Sequence, residues 1–151
     1  MKPTPKGWPR LSSCIYYDDA VKAIDFLRRA FGFEVRLLVE GEGGRVEHSE
    51  LLYGDALIMV SQTGPARPDR KSWPQGVSPQ SAAGGNTQGI MMFVDNVDSH
   101  CEQARAAGAV ILDEPKIHDY GDDYWADRSY GAVDLEGHMW WFTQRVREPK
   151  E

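Results

Sequence analysis

The sequence predicts an α+β fold of two βαβββ modules within one domain, and three observations carry that prediction. Landmark residues recur: Asp18 and Asp95 stand 77 positions apart, Gly32 and Gly108 stand 76 apart, and Gly54 and Gly137 stand 83 apart. Each half opens with a short β-branched and aromatic run, then an amphipathic helical pattern that stops at a glycine. Strand-like runs broken by glycine turns follow, and two such half-units bury their sheet faces only by pairing. The division is residues 11–62 for the first module, 63–88 for a connecting loop and 89–144 for the second, all within a single domain spanning 1–151.

In chain order, residues 1–10 hold three prolines and two lysines and read as an extended lead-in. Residues 11–17 form a strand around Cys14-Ile15-Tyr16-Tyr17, and Asp18 or Asp19 caps the helix after it. Val21, Ile24, Leu27 and Phe31 recur at helical spacing, and Gly32 suits a left-handed C-terminal cap. Residues 33–40, 45–53 and 56–62 are strands, joined by Gly41-Glu42-Gly43-Gly44 and by Gly54-Asp55. The Pro-, Gly- and Ser-rich segment 63–88 is long enough to be a linker or a functional loop. The pattern then returns. Residues 89–94 are a strand, Asp95 or Asn96 caps a helix with Val97, Cys101 and Ala104 on one face, and His100 falls on the polar, exposed face. Residues 109–112 are a strand and 113–127 a long acidic loop or hairpin. Residues 128–133 and 139–143 close the module around the turn Asp134-Leu135-Glu136-Gly137.

An apolar content of 41% and a charged content of 26% are ordinary for a soluble globular protein. The net charge of -6 argues against nucleic acid and anionic membranes as partners, since gripping phosphate needs a basic surface. Apolar runs are too short for a membrane span, and residues 1–11 lack the apolar core of a secretory signal. Cys14 and Cys101 are too few for a disulfide framework, so a cytoplasmic protein is expected.

Asp127-Arg128-Ser129-Tyr130-Gly131, followed by Asp134-x-Glu136-Gly137-His138-x-Trp140-x-Phe142, resembles the closing hairpin of the glyoxalase/bleomycin-resistance/dioxygenase (vicinal oxygen chelate) superfamily. The resemblance covers nearly the whole chain. It implies curled mixed sheets around a cleft, helices on their outer side, and a homodimer with ligand clefts at or near the subunit interface. It places the superfamily's four metal-ligand positions on Ser12, Met59, Gly89 and Trp141. None is a good ligand for a hard or borderline metal ion, and a two-residue slip reaches Cys14, Ser61, Met91 and Met139 or Thr143, which are no better. No metal and no cofactor are therefore expected.

Strand alternation sorts the candidate residues. In the third strand Ser49, Leu51 and Tyr53 form the helix-facing side, and Val46, His48, Glu50 and Leu52 the cleft side. The carry-over from the family places Ser12, Cys14, Tyr16, Met59, Ser61, Gly89, Met91, Met139, Trp141 and Thr143 on the cleft side as well. His48 and Glu50 suit either an acid/base pair or a structural hydrogen bond. Trp141 among Met59 and Met91 makes a polarizable wall for a flat ligand, or fills core. Trp125, Tyr124 and Tyr130 suit a stacking lid, as does Trp73 in the central loop. Arg128 either grips a ligand anion or locks the hairpin in a salt bridge. His118, Asp119, Asp122 and Asp123 form an acidic loop cluster, and His138 suits a turn hydrogen bond.

The expected ligand-binding set is thus Tyr16, His48, Glu50, Met59, Ser61, Met91, Trp125, Arg128 and Trp141. The function expected is metal-independent binding of an aromatic or cationic small molecule, sequestered as bleomycin-resistance proteins do in antibiotic resistance. The alternative is an enzyme of the same superfamily, an isomerase, lyase or ring-cleaving dioxygenase with an unusual or metal-free site.

Overall fold

The computed structural model describes residues 1–64 and 74–150. The first module contains β1 (Ser13–Tyr17), α1 (Ala20–Phe31), β2 (Glu34–Glu40), β3 (Val46–Tyr53) and β4 (Ala56–Gln62). The second contains β5 (Gly89–Phe93), α2 (Val97–Ala106), β6 (Val110–Asp119), β7 (Ala126–Val133) and β8 (Met139–Arg147). Each module forms one four-stranded mixed sheet, ordered β1-β4-β3-β2 and β5-β8-β7-β6. In both, the first strand pairs parallel with the last and the other ladders are antiparallel. The fold is the α+β pair of βαβββ modules that the repeat predicts.

Local chemistry explains the element ends. The Asp19 carboxylate accepts from the Lys22 N–H at 3.1 Å and caps α1, and Gly32 ends it at φ 77°. Asn96 caps α2 by accepting from the Ser99 N–H at 2.9 Å. β6 runs seven residues beyond the strand expected at 109–112. It is an edge strand with a register shift between Asp113 and Lys116, and such an irregular edge tolerates Pro115, which has no N–H to give a ladder. A second irregularity, between Val39 and Glu40, pairs Glu40 with Val46 and turns Val46 into the core instead of onto the cleft side. Within the central segment, a 3₁₀ turn spans Pro79–Ala82; Trp73 lies outside the described residues.

One apolar core serves both modules. Leu27 and Phe31 of α1 share it with Val97 and Cys101 of α2, and with Trp140 and Phe142 of β8. His100 belongs to this core and is not on an exposed face. It lies three residues after Val97 and four before Ala104, so it shares their buried stripe. Its Nε2–H donates to the Phe31 carbonyl at 3.2 Å, and its Nδ1 accepts from the Tyr130 hydroxyl at 2.7 Å. Tyr130 is itself fully buried, so it is no lid residue. Burial holds the His100 imidazole pKa below its usual value.

The turn between β7 and β8 provides a polar bridge between modules. Glu136 accepts from the backbone N–H groups of Asp18 at 2.7 Å and Asp19 at 2.9 Å, and from the Ser78 hydroxyl at 2.5 Å. Asp134 accepts from the Tyr17 hydroxyl at 2.6 Å and the Trp140 indole at 3.0 Å. His138 donates from Nε2 to the Tyr16 carbonyl at 2.8 Å. All three of these turn residues are buried. Among the described residues, no helix is long and apolar enough to cross a membrane.

Replacing Glu136 with Leu strands buried N–H donors and is expected to cost about 3 kcal/mol, read as a fall in urea midpoint with unchanged m-value. For His100 the sign follows from its lowered folded pKa. The unfolded chain takes up a proton near pH ~6.5 that the folded chain refuses. Its contribution is therefore complete above that pH and is lost as pH falls toward the folded value. His100→Asn should be less stable than wild type at pH 7.5, and the deficit should shrink at pH 5.5 in urea titrations.

Candidate functional site

Each sheet spends one face on the shared core and leaves the other bare. The second sheet shows this most clearly. On β8, Trp140 and Phe142 point into the core, so Met139, Trp141, Thr143 and Arg145 take the opposite face. Trp140 is 1% exposed and Trp141 39%. The ladder sets Gly89 beside Met139, Met91 beside Trp141 and Phe93 beside Thr143 on one flank, and Gly131 beside Trp141 on the other. A Cβ at Gly131 would meet Trp141 ring carbons at 3.1, 3.2 and 3.4 Å. The indole therefore lies down across β7, over the one residue there without a side chain. The result is a floor of indole and thioethers, flat and polarizable.

At the end of this floor the Arg145 guanidinium lies 5.3 Å from the Trp125 ring centroid and 5.7 Å from that of Phe93. Its Nε donates to buried Asp127 at 2.5 Å, and its Nη1 to Glu148 at 3.2 Å. Trp125 packs in turn against Tyr120 and Tyr124. Arg145 is absent from the expected set because the sequence predicts a last strand that stops at residue 143. The period-two pattern from Met139 through Trp141 and Thr143 reaches it when β8 is carried to Arg147.

The first sheet's bare face is more polar. Tyr16 pairs with Ser61 and Cys14 with Met59, and the Cys14 Sγ lies 3.2 Å from the Ser61 Oγ. The Ser12 Oγ is buried without a partner among the described residues. Gly76 lies against the Tyr16 ring, where any side chain would collide with it. On β3, Glu50 is buried and His48 half-open, with the His48 Nε2 3.1 Å from Glu50 Oε1. Glu50 Oε2 takes both Nε (2.7 Å) and Nη2 (2.6 Å) of Arg36. Hydrogen bonding from His48 first, and from Arg36 next, holds the Glu50 carboxyl below its usual range.

Arg128 is not brought to either bare face. It shares parity with buried Tyr130 and Ala132, so it points to the helix side of β7. There its Nε (2.9 Å) and Nη2 (2.6 Å) grip the Asp98 carboxylate of α2. The acidic loop is not a cluster either. Asp119 is gripped by two nitrogens of Arg147, which holds its pKa down to about 2, and Asp123 lies 3.8 Å from Lys150. Among the described residues no three His, Cys, Asp or Glu side chains stand together as a metal site would require. The remaining candidates divide between the sheets: Tyr16, His48, Glu50, Met59 and Ser61 on the first, Met91, Trp125 and Trp141 on the second.

The family model for the glyoxalase/bleomycin resistance protein/dioxygenase superfamily matches residues 10–142. An uncharacterized protein of Mycobacterium bovis is 34% identical over 141 residues, 93% of this chain and 86% of that protein. An uncharacterized protein of Mycobacterium tuberculosis is equally similar and is covered over 76% of its length. Among solved structures, TioX from Micromonospora sp. ML1 aligns with a TM-score of 0.68 at 29% identity, over 92% of this chain and 100% of that one. A glyoxalase/bleomycin resistance protein from Streptomyces sp. CB03234 shares the fold with a TM-score of 0.60 at 21% identity, over 88% of this chain and 97% of that one.

Gly131→Ala tests the resting place of Trp141. The added methyl should lift the indole from β7 at a cost of about 1 kcal/mol, raising acrylamide quenching of tryptophan emission. The increase should vanish when the same change is made in a Trp141→Phe background.

Proposed function

The chain belongs to the glyoxalase/bleomycin resistance protein/dioxygenase superfamily, and on that basis we propose that it binds a small, flat organic molecule without a metal ion, holding it by stacking and apolar burial. The observation that carries this is the second sheet's floor, where Trp141 lies over Gly131 beside Met91 and Met139. A flat polarizable surface of this kind gains most from an aromatic ligand. Arg145 and Trp125 border it at one end. The family's ligand positions, Ser12, Met59, Gly89 and Trp141, do not offer a donor set for a divalent ion: one is a glycine, one an indole and one a thioether, and the Ser12 hydroxyl is buried. The function is therefore sequestration, with the net charge of -6 favouring the approach of cationic ligands.

The cleft is completed by a second copy of the chain. Met91, Phe93, Met139 and Trp141 on one sheet and Leu37 and Val39 on the other are large apolar side chains exposed in a single chain. Setting the first sheet of one copy over the second sheet of the other covers both sets and gives each stacking floor a polar roof bearing His48 and Tyr16. Both cysteines are free thiols, which suits a reducing cytoplasm.

Sedimentation velocity should find a dimer, and titration with planar aromatic cations should quench tryptophan emission saturably. Trp141→Ala should weaken that binding by about tenfold, the equivalent of one aromatic stacking contact. Dialysis against a chelator should leave the affinity unchanged. A stoichiometric metal whose removal abolishes binding would sink the proposal.

A further inference from the structure

The first sheet's bare face carries a chain of charge that stacking alone does not use. Arg36 is fixed on three sides: it donates from Nε to Glu50 with Nη2 in ion-pair contact, donates to the Gly7 carbonyl, and lies 5.0 Å over the Trp8 ring. That fixes Glu50, whose side chain is only 9% exposed. Glu50 in turn fixes His48, whose side chain is 40% exposed. A carboxylate ionised by this company only accepts hydrogen bonds, so His48 Nε2 must carry the hydrogen between them. In that tautomer the lone pair is on Nδ1, which has no hydrogen-bond partner among the described residues. The ladder seats Val39 beside His48 and Leu37 beside Glu50, an apolar margin along the pair. The titratable groups linked to the ring are Glu50 from its own strand and, through it, Arg36 from β2, while Cys14 and Tyr16 stand on β1, beyond β4. Arg45 at the start of β3 is turned to the Gln62 and Thr63 carbonyls and to Glu47.

We propose that His48 is a built proton acceptor for a weakly acidic hydroxyl, a phenol or enol, on the molecule bound in the cleft. The O–H bond breaks, the proton joins Nδ1, and the electron pair stays on the ligand oxygen as a phenolate or enolate. The imidazolium formed faces Glu50, whose charge Arg36 already holds in place, so nothing has to reorganise. Transfer to an imidazole is within reach of phenols and enols acidified by electron-withdrawing groups, and out of reach of ordinary C–H bonds. This names the ligand class for the proposed cleft, and it rests on that reading.

The probe is 4-nitrophenol, whose neutral and ionised forms absorb at different wavelengths, titrated into the full-length protein at a pH below the probe's solution pKa. Wild type should show a saturable phenolate band together with tryptophan quenching. His48→Gln should lose the band even at probe concentrations that saturate tryptophan quenching. In the free protein, ¹⁵N NMR should find His48 as the Nε2–H tautomer. Quenching without a band, a band of equal strength in His48→Gln, or an Nδ1–H tautomer overturns this inference and leaves stacking standing. Absence of both signals overturns the two together.

Discussion

The architecture depends on two buried carboxylates in one tight turn. Asp134 and Glu136 reach out of the second module to the start of α1 and the end of β1 in the first, and to the segment that connects the two. A buried carboxylate is costly unless each oxygen is fully employed. Here the partners include two backbone N–H groups at the start of a helix, where orphan donors and the helix dipole both favour negative charge. The same Asp134 sets the Tyr17 phenol and the Trp140 indole, so the polar bridge and the apolar core are anchored at one point. Burial, reinforced by the Asp134 charge, pushes the Tyr17 phenol well above its usual pKa and keeps it a donor.

This bridge decides which sheet faces are left outside the core. Because both modules turn their helices and the inner faces of their sheets into one core, the opposite sheet faces remain bare. One bare face is aromatic and thioether-rich, and the other carries the Arg36–Glu50–His48 chain. Neither alone encloses a small molecule. The pairing of two copies would bring unlike faces together, a stacking floor beneath a polar roof, and so divide the labour of affinity and orientation between two chains.

Residues of the recognisable closing motif turn out to be structural. Glu136 and His138 tie modules together, and Arg128 locks β7 to α2 through Asp98. The floor is made by Trp141, a position the motif leaves open, and by the motif's own Gly131, whose missing side chain lets the indole lie flat.

The sequence by itself determined the repeat, the two helices with their caps, the alternation that separates Trp140 from Trp141, and the pairing of His48 with Glu50. These are local properties: period, turn chemistry and neighbours two residues apart all act within a few residues of chain. Only the tertiary structure decided that His100 is buried, that Val46 turns inward, that Arg128 faces a helix, and that Arg36 and Arg145 complete the two bare faces. Each of those depends on a partner distant in sequence or on a register irregularity. A one-residue slip reverses the face of every side chain beyond it, and alternation read from the chain alone cannot see where the slip occurs.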